Sequence, residues 1–205
     1  MPVHTPRPGG NEPDRITLYL SRISLDPERT TGMEQWAVMG RAVRKAVDPD
    51  PDSDARALWA RLSPTILVIS SDTAPAWGKI PGALSVTYLP MPRYGEGETI
   101  RWELITAPTG QKQVEPTDEK PRSRGKRVPL PESEFDDWLD HKLEGALQIE
   151  SATWKRLGGR PARYHFTGTA IVKDSDELQD LSLDGIGAGL ATGAGLLLTS
   201  PLDPR

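Results

Sequence analysis

The chain has 205 residues and a mass of 22.5 kDa, enough for one or two domains with buried cores. It contains no cysteine, which excludes disulfide staples, Cys-type zinc or iron–sulfur centres and a cysteine nucleophile. Its three histidines are scattered, which speaks against a histidine-rich metal site, and its net charge of −4 argues against a generic nucleic-acid binder, which is usually basic.

The N-terminus is polar and proline-rich without an apolar h-region, and no apolar run reaches the ~18 residues of a membrane span. A cytoplasmic protein with no membrane contact is expected. Residues 1–15, rich in Pro and Gly, read as a disordered tail. Ile16–Ser24 alternates apolar and polar residues and predicts a half-buried strand. A helix is expected over Met33–Val47, where Met33, Trp36, Gly40, Val43 and Val47 form one stripe. Arg41, Arg44 and Lys45 fall off that stripe and are weaker candidates for phosphate contact, because a basic helix face is usually just solvated. Asp54–Leu62 reads as a short helix with Leu58 and Leu62 inward. Thr65–Ser71, Ala83–Leu89 and Thr99–Thr106 read as strands.

Residues 109–126 are polar and irregular and read as a linker between an N-terminal domain (16–108) and a C-terminal domain (127–205). Arg127–Leu130 predicts a short strand and Glu132–Ala146 a helix, with Phe135, Trp138, Leu139 and Leu143 inward. A strand pair around Gly158-Gly159, a helix over Asp176–Leu183 and a last strand at Leu196–Thr199 follow. The order suggests an α+β protein of two tandem ferredoxin-like, βαββαβ domains. That fold hosts many functions and names none.

The overall charge hides a segregation. Residues 120–127 carry Lys120, Arg122, Arg124, Lys126 and Arg127 with no acid, and residues 151–173 carry Lys155, Arg156, Arg160, Arg163 and Lys173, again with none. Converging basic stretches suit a phosphate backbone; the plainer reading is solvated loops. The segment Gly185-Ile-Gly-Ala-Gly-Leu-Ala-Thr-Gly-Ala-Gly195 is not a dinucleotide loop. It sits after a helix and before a strand, the reverse of that motif's order. Closely spaced glycines allow backbone N–H groups to face a phosphate; the alternative is a tight turn in a packed core.

This Gly-rich segment resembles the loop of the CRISPR repeat-processing endoribonucleases, in particular the CasE branch, a subunit of the Cascade complex. Tyr19-Leu-Ser-Arg-Ile-Ser-Leu-Asp-Pro27 resembles that branch's opening strand. Gly125-Lys-Arg-Val-Pro-Leu130 with Trp138-Leu139 resembles its GKRV segment and following helix, and Tyr164-His-Phe-Thr-Gly168 the strand before its last helix. The resemblance covers roughly 18–201. It implies two ferredoxin-like domains, a CRISPR repeat hairpin and other Cascade subunits as partners, and no cofactor or metal. It also implies metal-independent cleavage, in which a 2′-hydroxyl attacks the adjacent phosphate. RNA-contacting positions are then expected at Arg124, Lys126, Arg127, Arg156, Arg160 and Arg163, and at Gly185, Gly187, Gly189, Gly193 and Gly195.

The sequence departs from the family at the chemistry. The family's Tyr and His at the start of the first helix align with Met33 and Trp36, which cannot move a proton. A loop Lys is here Leu190, and the family's Arg-Ala-Asn-Pro is Ile105-Thr-Ala-Pro108. His4 lies in the tail and His141 beside Asp140 and Lys142. His165 is mid-strand, where a structural role is the commoner one. His165, Lys155 and Arg156 are the weak catalytic candidates, with Arg160 beside them. Three readings stay open: an RNA endonuclease, a hairpin-holding subunit that does not cut, and a protein-interaction subunit without RNA.

Overall fold

A computed structural model describes residues 19–31, 35–50, 52–112 and 126–202. The expected tail and most of the expected linker lie outside these residues. The first sheet contains β1 (Tyr19–Leu25), β2 (Ala57–Ser63), β3 (Ile66–Ser71) and β4 (Ala83–Leu89), in the order β2-β3-β1-β4 with antiparallel neighbours. The second contains β5 (Thr99–Thr106), β8 (Leu147–Gly158), β9 (Arg163–Val172) and β10 (Leu197–Pro201), in the order β10-β5-β9-β8. Between them in sequence, β6 (Thr109–Lys112) pairs with β7 (Lys126–Pro129). Each four-stranded sheet has the ferredoxin-like order fourth, first, third, second, so the expected α+β class is found. In the first unit a single 3₁₀ turn, Trp77–Lys79, stands where the second helix belongs.

Among the described residues three helices cover these sheets. α1 (Trp36–Val47) buries Met39, Val43, Ala46 and Val47 against Ile23, Leu25, Trp59, Leu67 and Ile69. The i, i+4, i+7 spacing of Met39, Val43 and Ala46 places them on one face. α2 (Phe135–Leu143) buries Phe135, Trp138, Leu139 and Leu143 on the second sheet. Phe135 meets Tyr164 and Phe166 edge-on, with ring centroids 4.7 and 5.4 Å away. α3 (Ser175–Asp184) starts at Asp174, whose carboxylate accepts from the backbone N–H groups of Asp176 and Glu177 at 2.9 Å.

The faces of the sheets turned away from α1 and α2 meet each other. Leu20, Leu58, Ala60 and Val68 from the first sheet pack with Ile105 and Leu196 of the second unit. This contact covers only the β10–β5 half of the second sheet's open face. On the β9–β8 half, Ser151, Thr153, Lys155 and Thr167 are exposed.

Three sequence expectations are corrected. Asp54–Leu62 is not a helix; Ala57–Ser63 is strand β2. Leu58 and Leu62 are four residues apart, a spacing that shares a face in either element. Trp59 decides between them, because it is buried on the opposite side of the strand from Leu58, in the core under α1. Thr99–Thr106, read with the first domain, is the inner strand β5 of the second sheet. It pairs with β9 from Thr99↔Ile171 to Thr106↔Tyr164. Part of the expected linker, Thr109–Lys112, is also a strand. No helix of the described residues is long and apolar enough to cross a membrane.

Candidate functional site

Three segments converge at one end of the second sheet. The first is the start of α1, where Trp36 is half-buried with its ring 5.9 Å from that of Trp59. The second is the turn between β8 and β9, residues 158–163. The third is the Gly-rich segment 185–195. That segment is tied to β5: Gly195 N–H donates to Ile105 C=O at 2.7 Å, Thr106 Oγ1 donates to Ile186 C=O at 3.2 Å, and Ala107 bridges to Ala188.

Arg163 joins all three. Its guanidinium carbon lies 4.6 Å from the Trp36 ring centroid, and Nη2 donates to Thr192 Oγ1 at 2.7 Å and to Thr192 C=O at 3.3 Å. Arg163 is only 6% exposed, and burial pushes its pKa down from the ordinary value. Arg163, expected from the resemblance at an RNA phosphate, is turned toward Trp36 and the Gly-rich segment. Buried cations without a carboxylate are often replaceable by apolar residues of similar size. Arg163→Met is expected to melt within about 3 °C of wild type, because the stem packing is kept, and Arg163→Ala lower. Thermal melts of the two variants check this.

Packing also claims part of the Gly-rich segment. A Cβ on Gly193 would sit 2.5 Å from the Trp59 ring, and one on Gly195 would sit 2.8 Å from Ile186 C=O. Both glycines are buried, and Gly195 N–H is already bonded to Ile105. These two glycines, expected at an RNA contact, are packed into the core. Gly185 is half-buried, while Gly187 and Gly189 lie at the surface. Leu190 is half-buried and packs into the contact between the sheets.

The remaining basic residues divide cleanly. Lys155, Arg156 and Arg160 are exposed on β8 and its turn, and Arg127 is exposed on β7. Arg41 and Lys45 are exposed on α1. Arg44 instead donates to the backbone carbonyls of Ala55 (2.7 Å) and Ser53, and so holds the following loop. Met33, Arg124 and His4 lie outside the described residues; Lys126 starts β7. His141 is an exposed α2 residue 3.7 Å from Glu144.

His165 has a partner that sequence reasoning missed. Its Nε2 lies 2.5 Å from Glu103 Oε1, with the two side chains 21% and 31% exposed. Glu103 sits on β5 opposite Thr167, one diagonal step from His165. Nothing local in the sequence marks Glu103; the strand register alone brings it there. Glu103 also lines a cleft of about 530 Å³ between the sheets, together with Arg22, Arg93 and Arg101.

The sequence matches the family of CRISPR-associated proteins over residues 18–201, most of the chain. The chain belongs to this family. No curated protein gives a significant sequence match. Among solved structures, this CRISPR-associated protein is similar to Thermus thermophilus Cse3 bound to an RNA representing a pre-cleavage complex. That likeness has 23% identity and a TM-score of 0.66, over 90% of this chain and 99% of that one. The likeness to Cas6e from Escherichia coli K-12 has 20% identity and a TM-score of 0.67, over 90% and 100% of the two chains. A chain of E. coli Cascade bound to a PAM-containing double-stranded DNA target matches at 20% identity and a TM-score of 0.52, over 90% and 99%. The CasE resemblance read from the sequence thus agrees with the fold of this CRISPR-associated protein.

Proposed function

We propose that this chain grips the stem of a CRISPR repeat hairpin and remains on it as a subunit of Cascade. Support comes first from the family and from the fold shared with RNA-bound Cse3. The observation that carries the reading is the placement of exposed Lys155, Arg156 and Arg160 beside the end of the sheet where Trp36 and the Gly-rich segment meet. A phosphate backbone is held by such cations without regard to sequence. The net charge of −4 is compatible with this, because the acids gather elsewhere, six of them after Lys173. Metal-independent processing of the precursor, cutting at the base of the stem, belongs to the same reading.

A second reading is favoured by Trp36. At the position of the family's histidine stands an indole packed on Trp59 and Arg163. Among the described residues that meet at that corner none is a proton-transfer group, and its cation, Arg163, is turned inward. A subunit that holds the hairpin without cutting it is the outcome if no other group takes over.

The test is a gel shift and a cleavage assay in EDTA with labelled repeat RNA from the encoding genome, with the 2′-deoxy RNA at the cut site as control. Binding that weakens by roughly 10³–10⁵-fold between 50 and 200 mM salt is expected for six to ten phosphate contacts. Absence of binding to the hairpin overturns the reading and leaves an interaction role.

A further inference from the structure

We infer that Glu103, His165 and Lys155 form a proton-transfer and charge-stabilising set that replaces the family pair lost at Met33 and Trp36. The inference rests on the hairpin reading and assigns its cleavage step to residues on the open face of the second sheet.

The register brings the three together. His165 on β9 is directly opposite Lys155 on β8. Directly opposite residues in an antiparallel pair share a face, with Cβ atoms about 5 Å apart. On the other side of β9, Glu103 of β5 meets His165 Nε2 at 2.5 Å. A carboxylate, an imidazole and an ammonium thus lie in a row across three adjacent strands. Their neighbours Trp154 and Phe166 point to the opposite face, into the core under α2. His165 and Lys155 lie on the uncovered half of the sheet, Glu103 lies at its boundary on β5 where it lines the cleft between the sheets, and His165 is two residues from Arg163, which touches Trp36 and the Gly-rich segment. Two residues along a strand is one step on the same face. The set is therefore next to the convergence point, while Arg156, opposite Tyr164, projects from the other face of the sheet.

Each member has a role that its chemistry suits. Glu103 packs its carboxylate against the buried Nε2 as an ion-pair contact, without an in-line hydrogen bond, and so restricts the ring, with Nδ1 the atom proposed to meet the substrate; this makes Glu103 a positioning residue. His165 Nδ1 accepts the proton of the 2′-hydroxyl as that oxygen bonds to the adjacent phosphorus. The bond from phosphorus to the 5′-oxygen breaks. The leaving oxygen takes a proton from solvent, and the imidazolium later returns its own. A 2′,3′-cyclic phosphate and a 5′-hydroxyl result, with no net redox change. Lys155 neutralises the charge that builds on the phosphorane oxygens. His141 lacks this setting, being a surface residue of α2.

The experiment is single-turnover cleavage of the labelled repeat hairpin in EDTA by the full chain. Affinity is measured separately on the 2′-deoxy RNA, which binds without reacting. Wild type is expected to cut. His165→Ala is expected to slow cutting roughly 10²–10⁴-fold while affinity changes less than about threefold, and millimolar imidazole to restore part of the rate. His165→Gln serves if the alanine variant melts early. Glu103→Gln is expected to lower the rate at least tenfold at unchanged affinity, and Lys155→Met about 10²–10³-fold, with Lys155→Arg partly active. A wild type that binds the hairpin and does not cut overturns the inference and leaves the hairpin reading standing. So does a His165→Ala or His165→Gln that cuts at the wild-type rate. A wild type that does not bind overturns both.

Discussion

Replacing Arg127, Arg156 and Arg160 together by Ala is expected to weaken hairpin binding by roughly 10²–10³-fold near 0.1 M salt. The slope of log affinity against log salt is expected to flatten by about 2–3. Each cation that neutralises a phosphate releases condensed counterion, so its removal costs about tenfold at that salt and about one unit of slope. All three side chains are exposed. Their removal opens no cavity, so Tm is expected to hold, and surface substitutions of this kind stay within about 0.5 kcal/mol. Lys155 is left in place, which separates binding from the proposed cleavage step. Gel shifts at four salt concentrations measure both quantities. An unchanged slope would move the RNA interface away from β7 and the β8–β9 turn.

Gly193→Ala is expected to cost roughly 2–5 kcal/mol of stability and to lower Tm by about 10 °C. Two effects add. Gly193 has φ +79°, a conformation that L-residues enter only at a cost of about 1–2 kcal/mol. Its new Cβ would also lie 2.5 Å from Trp59, a ring 1% exposed that cannot retreat. Overpacking of that kind typically costs about 1–3 kcal/mol. Gly158→Ala is the control. Gly158 has φ +85°, but a methyl group placed on it would meet no atom within 4 Å, so only the backbone cost is expected. Comparing the two melts isolates the Trp59 contact. Equal losses would show that Trp59 can move, and that the Gly-rich segment is less firmly seated on the first sheet than its packing indicates.

Much of the fold was legible in the chain. Alternation marked β1, a short β-branched apolar run marked β3, and helical spacing marked α1 and α2, because a half-buried strand, a strand buried on both faces and an amphipathic helix each leave their own pattern. β2 was misread because Leu58 and Leu62 satisfy both periods. Part of the linker was misread because a four-residue strand among polar residues carries almost no periodic signal.

The site was legible only in part. Exposed Lys155, Arg156 and Arg160 could be found as a cluster of like charge with no acid between them. Arg163 belongs to the same cluster and faces inward, a distinction that no one-dimensional pattern contains. The Gly-rich segment was recognisable as unusual, yet which glycines touch the core depended on Trp59, which is far away along the chain.

The sequence by itself determined the α+β class, the absence of cysteine chemistry and the family resemblance, which implies Met33 and Trp36 where the family has its Tyr and His. These follow from residue identity and short spacings. Tertiary structure alone decided that β5 joins the second sheet, that Arg163 is buried under Trp36, and that Glu103 meets His165. Each depends on strand register between distant segments, and a one-residue slip would turn every side chain to the other face.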